Sequence, residues 1–368
     1  MDRSIRQGAS PRLRVAVVST PFVAVPPVRY GGTELVVAEL VRRLELRGHE
    51  VVLFATGDSQ VDCTCRSLFA TPVWPPEPLA ELAHASWAAD AIRRSARPFD
   101  VVHAHVATFL PFARTLDDVP VVYTMHHDRD ERLSRFYAAL PPGVQYVAIS
   151  AMQAALHPEL PRRVVVHHGL DPALYPFGPE GQGYLAFLGR FAEVKGPHTA
   201  IEVAGRLGRE LRMGGRPHPD DAGFQDRVLR QLLDQDHVRP LGELGHGGKI
   251  RLLGGADALL FPIAWEEPFG LVMIEAMLCG CPVVAFRGGA VEEVVEPGLT
   301  GFVARDGDDM VRLVRDEVPR LDRRRVRARA IERFSSRRMA DAYVDVYREA
   351  IAARGAQAAF PWKEVPCP

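Results

Sequence analysis

Lysine is nearly missing from this chain: only Lys195, Lys249 and Lys363 occur, against 42 arginines. An arginine-favouring genome is the simplest cause, and it makes each surviving lysine worth locating. Cysteine is scarce too. The five thiols fall as Cys63/Cys65, Cys279/Cys281 and Cys367. Neither Cys-x-Cys has the usual zinc spacing and the count is odd, so reduced thiols fit better than a disulfide framework. No apolar run approaches the length of a membrane span. The 45 basic and 46 acidic residues leave a net charge of −1, so nothing global steers the chain to nucleic acid or an anionic membrane. The first residues, Met1 to Arg12, are polar and lead into a strand, which does not read as a signal peptide. A cytoplasmic protein is expected.

What is present is alternation. Valine-rich strands are expected at Leu13–Ser19, Val51–Ala55, Val101–His103, Val119–Thr124, Val144–Ile149 and Arg163–Val166, with helices between most of them. A Pro/Gly-rich passage, Gly169–Gly183, reads as a domain linker. The pattern then restarts, with strands at Tyr184–Leu188, Leu211–Met213, Val238–Leu241, Ala258–Phe261 and Pro282–Phe286. This predicts an α/β protein of two doubly wound parallel sheets, with ligands at the carboxyl ends of the strands. A length of 368 residues suits two domains.

The most informative stretch is Trp265-Glu-Glu-Pro-Phe-Gly-Leu-Val-Met-Ile-Glu275, running on to Phe286. Its pattern reads loop, helix, turn, strand. Gly270 falls at the helix start, where unpaired N–H groups and the positive dipole end can hold an anion. Glu267 lies just outside the helix, and Glu275 leans back from inside it. Two hydroxyl-binding carboxylates thus flank an anion cradle, a set suited to the diphosphate, ribose diol and hydroxyl ring of a nucleotide sugar. The bland alternative is a core helix carrying two solvent carboxylates.

Leu188-Gly-Arg-Phe-Ala-Glu-Val-Lys-Gly196 is the second strong motif. Arg190 sits at a strand end and Lys195 opens the next helix. A bidentate guanidinium and a mobile ammonium could together offset charge on a leaving diphosphate. Gly31-Gly32, before Thr33-Glu34, places side-chain-free backbone at another helix start. It is not the dinucleotide fingerprint, which needs Gly-x-Gly-x-x-Gly.

Together these segments resemble retaining glycosyltransferases of family 4, nearly continuously from Leu13 to Val314. The resemblance implies the GT-B fold, two Rossmann-like domains facing a cleft. Its boundaries would be 1–172 for an acceptor-side domain, 173–338 for a nucleotide-sugar-binding domain, and 339–356 for a helix crossing back. It implies donor contacts from Gly31, Gly32, Arg190, Lys195, Glu267, Phe269, Gly270, Leu271 and Glu275, with Arg239 near the base. His126 in Thr124-Met-His126 would stand by the transferred sugar, and His126, Arg190, Lys195 and Glu267 are the expected catalytic residues. His168 stands where the family more often has Asn. The expected reaction is metal-independent, retaining transfer from a nucleoside diphosphate sugar to a hydroxyl acceptor. No cofactor or nucleic acid is expected, since the nucleotide sugar is a substrate. The resemblance favours uracil, with guanine or adenine as alternatives.

Three other readings share these residues: a GT-B sugar phosphorylase, a nucleotide-sugar epimerase, and a non-catalytic nucleotide-sugar-binding scaffold. Two signals are set aside. Asp128-Arg-Asp130 matches the Asp-x-Asp metal motif of a different transferase fold by chance. The arginine run at 320–333 is compatible with phospholipid headgroups but reads first as a solvated helix face. No motif selects among glycan, lipid and small-metabolite acceptors.

Overall fold

The computed structural model describes residues 11–357, apart from 30, 117–118, 128–130, 141–142, 161, 218–221 and 225–228. The Asp128–Asp130 triplet therefore lies outside the described residues. Seven parallel strands form the first sheet: β1 (Arg14–Val18), β2 (Glu50–Phe54), β3 (Thr64–Arg66), β4 (Val101–Ala104), β5 (Val121–Thr124), β6 (Gln145–Ala148) and β7 (Arg163–Val165). Their order is β3-β2-β1-β4-β5-β6-β7. Six form the second: β8 (Tyr184–Leu188), β9 (Glu210–Gly214), β10 (Val238–Pro240), β11 (Ala258–Phe261), β12 (Val283–Phe286) and β13 (Gly301–Ala304), in the order β10-β9-β8-β11-β12-β13.

Burial on both faces explains the valine runs. In β1, Val15 and Val17 point into one core and Ala16 and Val18 into another. In β8, Leu185 and Phe187 face one way and Ala186 and Leu188 the other. Such strands show no polar alternation because neither face meets water. Two strands escaped the sequence reading. Strand β3 is a short edge with exposed Thr64 and Arg66, and β13 is four residues long behind a turn.

The chain leaves the first sheet after Val165 and returns at Phe334–Ser336. At the crossing, Leu170 N–H donates to Phe334 O and Ser336 N–H to Leu170 O, both at 2.9 Å. The helix Ser336–Gln357 then packs on the first sheet through Met339, Ala340, Tyr343 and Tyr347, beside the helix Gly32–Leu46. Its two tyrosines reach the strands: Tyr347 Oη is 2.7 Å from His103 Nδ1, and Tyr343 Oη is 2.8 Å from Thr124 Oγ1.

The arginine run lies on the helix Arg323–Phe334 and does something sequence did not show. Arg323 donates to the carbonyls of Gly178, Gly254 and Ala256 at 2.7–2.9 Å. Arg327 donates to those of Pro172, Tyr175 and Leu278, and Arg333 to those of Glu293 and Val294. These carbonyls include the unpaired C-terminal ends of three helices. The inner arginines are internal fasteners, and only the outer ones remain a solvated face.

Candidate active site

Two compartments open between the sheets and share Gly32, Leu188, Gly189, Arg190, Leu271 and Val272. The first, about 210 Å³, adds Gly31, Arg216, Leu244, Lys249 and Glu275. The second, about 610 Å³, adds His126, His168, Lys195, Trp265, Glu267, Phe269 and Gly270.

Gly270 makes the helix Leu271–Leu278 point at both. Its φ of 82° is left-handed, and the helix begins there with no side-chain cap. The first N–H groups are thereby free to receive an anion. Opposite, Gly32 opens the helix Gly32–Leu46, and a Cβ there would stand 3.3 Å from Leu271 Cδ1. A side chain on Gly32 would crowd the cleft between the two helix starts.

Each signature glutamate is paired with one of the scarce lysines. Lys195 Nζ is 2.6 Å from Glu267 Oε2, which also accepts from Trp265 Nε1–H at 3.1 Å. The ammonium lies 4.1 Å from the centre of the Trp265 ring. Burial pulls the Lys195 pKa below its ordinary 10.5 against the attraction of Glu267, and neighbouring Arg190 adds to the fall. Glu275, 3% exposed, accepts from Lys249 Nζ at 3.2 Å and from Tyr175 Oη at 3.3 Å. Among the hydrogen bonds and ion pairs of the described residues, none involves Arg190, which fronts both compartments. It is a ready cation beside a committed one.

Histidines form the wall contributed by the first sheet. His105 Nδ1 is 2.8 Å from His126 Nε2, and His126 stacks on His168 at 5.5 Å and 20°. His168 in turn meets the edge of Phe269, whose ring is buried, so Phe269 can offer the cleft only its backbone. Burial pulls His168 and His103 down to about 3, and carries His105 and His126 well below 6.5, so all four imidazoles are neutral at pH 7.

Of the residues expected from sequence, Gly31, Gly32, His126, Arg190, Lys195, Glu267, Phe269, Gly270, Leu271 and Glu275 are brought together. Arg239 is not. It lies on the outermost strand, β10, with its guanidinium bonded to the carbonyls of Asp236 and Val238, and lines neither compartment. The chain reaches the cleft only after β10 ends, at Glu243 and Leu244. Lys249, Tyr175 and Trp265 were missed as partners of the glutamates; the rarity of lysine was the one signal that could have flagged Lys249. Among the described residues, no group of three or more His, Cys, Asp or Glu is arranged to hold a metal, and no helix is long and apolar enough to cross a membrane.

Comparison with known proteins agrees with this geometry. The family model "Glycosyltransferase Family 4" matches residues 30–174, and "Glycosyl transferases group 1" matches 177–325. Glycogen synthase of Mycobacterium tuberculosis is 32% identical over 296 residues, 69% of each chain. Among solved structures, AviGT4, a glycosyltransferase involved in avilamycin A biosynthesis, is 26% identical with a TM-score of 0.72, covering 92% of this chain and 98% of its own. Anabaena HepE, solved with UDP and glucose, has a TM-score of 0.71 at 18% identity, covering 92% of this chain and all of its own. With both halves matched in order and the paired-glutamate cleft in place, this chain belongs to glycosyltransferase family 4 and is a glycosyltransferase of the GT-B fold.

Proposed function

We propose that this glycosyltransferase takes its sugar from a nucleoside diphosphate sugar, with uracil as the base, and transfers it with retention and without metal to a hydroxyl acceptor. The observation that carries the reading is the division of the cleft. Glu275 and Lys249 stand at one end, Glu267 and Lys195 at the other, with Arg190 and the helix start at Gly270 between them. A nucleoside fits the first compartment, with its ribose diol on Glu275. The diphosphate meets Arg190 and the free N–H groups. The sugar enters the second compartment, its hydroxyls on Glu267.

In the transfer, the anomeric carbon–oxygen bond breaks and its electron pair goes to the departing diphosphate. The acceptor oxygen bonds to the anomeric carbon on the same face, and its proton passes to the leaving phosphate oxygen. Cationic Arg190 and Lys195 supply the charge compensation a metal gives elsewhere. Support for uracil is analogical: HepE is solved with UDP, whereas starch synthase IV of Arabidopsis thaliana is solved with ADP.

The test is a thermal-shift series with UDP, GDP, ADP and their common sugars, with chelator present, followed by donor hydrolysis and determination of the product anomer. A selective rise in melting temperature with UDP and an unchanged anomeric configuration are expected. Preference for another base, an inverted product, or activity restored only by a divalent cation would overturn the corresponding part.

A further inference from the structure

Two imidazoles in the second compartment have their proton positions set by what surrounds them. His105 is 3% exposed, and its Nδ1 shares a 2.8 Å hydrogen bond with His126 Nε2. Its other nitrogen, Nε2, is fully buried with no hydrogen-bond partner. The adjacent His103 cannot serve it, because both of its nitrogens are taken, by Tyr347 and Thr124. A neutral imidazole carries one N–H and one bare lone pair. A buried N–H without an acceptor is far rarer than a buried lone pair without a donor. The proton of His105 therefore belongs on Nδ1, where it is donated to His126 Nε2. His126 must then carry its own proton on Nδ1.

The same reasoning applies to His168. It is 3% exposed, and its Nδ1 is buried without a partner, so Nδ1 is the bare nitrogen and Nε2 holds the proton. Both rings line the second compartment, stacked 20° from parallel. In each, the protonated nitrogen is the one not enclosed by protein.

We propose that His105 is a positioning residue that locks His126 as its Nδ1–H tautomer, so that His126 and His168 together present two N–H donors to oxygens of the bound sugar or acceptor. The wall is then a donor pair. His126 binds a lone pair on a hydroxyl or ring oxygen and is not a general base. His168, standing where an amide would be usual, keeps the donor and adds an aromatic face for His126. Glu267 on the opposite side accepts, so the compartment reads a sugar oxygen by lone pair on one wall and by hydroxyl proton on the other. This rests on the reading of the compartment as the sugar site.

The direct test needs no substrate. Full-length protein with ¹⁵N-labelled histidine is examined by long-range proton–nitrogen correlation, with His126→Gln and His168→Asn used to assign signals. The expected result is a protonated Nδ1 in His105 and His126 and a protonated Nε2 in His168. A protonated Nε2 in His126, or averaging between its tautomers, would overturn the proposal. A kinetic test follows on donor hydrolysis. His105→Phe keeps the ring but frees His126 to both tautomers, and should lower kcat about tenfold, the worth of one transition-state hydrogen bond, with UDP binding unchanged. His105→Asn, which returns an N–H near the position of Nδ1, should recover most of that loss. Equal losses in the two variants would also overturn it. A wild type that hydrolyses no nucleotide sugar would remove the sugar-site reading, while the labelled histidines would still decide the tautomer.

Discussion

Lys195 and Glu267 hold each other at 2.6 Å in the cleft, each also held by Trp265. In the donor pose proposed above, Lys195 goes to the diphosphate and Glu267 to the sugar, so donor binding would part them. Much of the attraction of the pair is spent before binding and returned as two new contacts, so Lys195 gains most as charge builds on the leaving group. Lys195→Ala is expected to lower kcat by about 10²–10³, the range seen for single charge-stabilising groups, while UDP affinity falls only a few-fold. Steady-state kinetics with direct titration of UDP separates the two, and equal losses would contradict the exchange.

The pair at the other end should behave in the opposite sense. Glu275 is held by Lys249 and Tyr175 where a ribose would lie, away from the breaking bond. In the proposed pose its contact would be made equally in the ground and transition states, which affects binding and not turnover. Glu275→Gln should weaken UDP by about tenfold, or roughly 1.4 kcal/mol, and leave kcat nearly unchanged. A kcat collapse with intact affinity would mean that Glu275 works on the sugar and that the two compartments have been read in the wrong order.

How far the sequence carried depends on whether a feature was local. The helix Leu271–Leu278, its glycine start and both glutamates are contiguous, and each was legible from residue type and spacing. Arg190 and Lys195 were legible for the same reason. Arg239 failed because the end of a strand says nothing about how far the next loop runs before entering a cleft. The His105–His126 bond and the Lys249–Glu275 pair join residues 21 and 26 positions apart, and only the packed sheets bring them together. The inner arginines of 323–333 misled for a deeper reason: a charge run looks solvated until buried carbonyl ends are found in front of it.

Those arginines give a stability prediction. Arg327 donates to three backbone carbonyls from two separate segments, 172–175 and Leu278, and burial lowers its pKa even though those carbonyls favour the cation. Pro172 O also accepts from Tyr175 N–H at 3.3 Å, so removing Arg327 chiefly strands the carbonyls of Tyr175 and Leu278. Arg327→Met should cost about 2–4 kcal/mol by urea denaturation, since each charged hydrogen bond contributes roughly 1.5–3 kcal/mol and part is recovered by water. Arg324→Met, which removes an exposed charge, should cost little. A small effect at Arg327 would mean that those carbonyls are readily rehydrated.

Acid should weaken the fold earlier than its carboxylates alone would dictate. Burial holds His103 and His168 at about 3 and His84 at about 4, against 6.5 when unfolded. Between those values the unfolded chain binds protons that the folded one refuses, so stability falls as pH drops below 6.5. Each such histidine costs up to about 1.4 kcal/mol per pH unit. His105 and His126 act in the same direction. Glu34, Glu39, Glu45 and Glu81 oppose them: burial raises all four above 4.5, so the folded state binds their protons more readily and gains stability as pH falls. Burial also lowers His49, His127 and His198, and the four carboxyls, which titrate from a lower starting pH, do not offset these eight imidazoles between pH 7 and pH 5. The melting temperature should therefore drop steadily from pH 7 to pH 5, well above the carboxylate range. Scanning calorimetry across that interval measures it directly. A flat profile would mean that the histidine wall accepts protons while folded, in which case its N–H donors could not be fixed as a neutral pair.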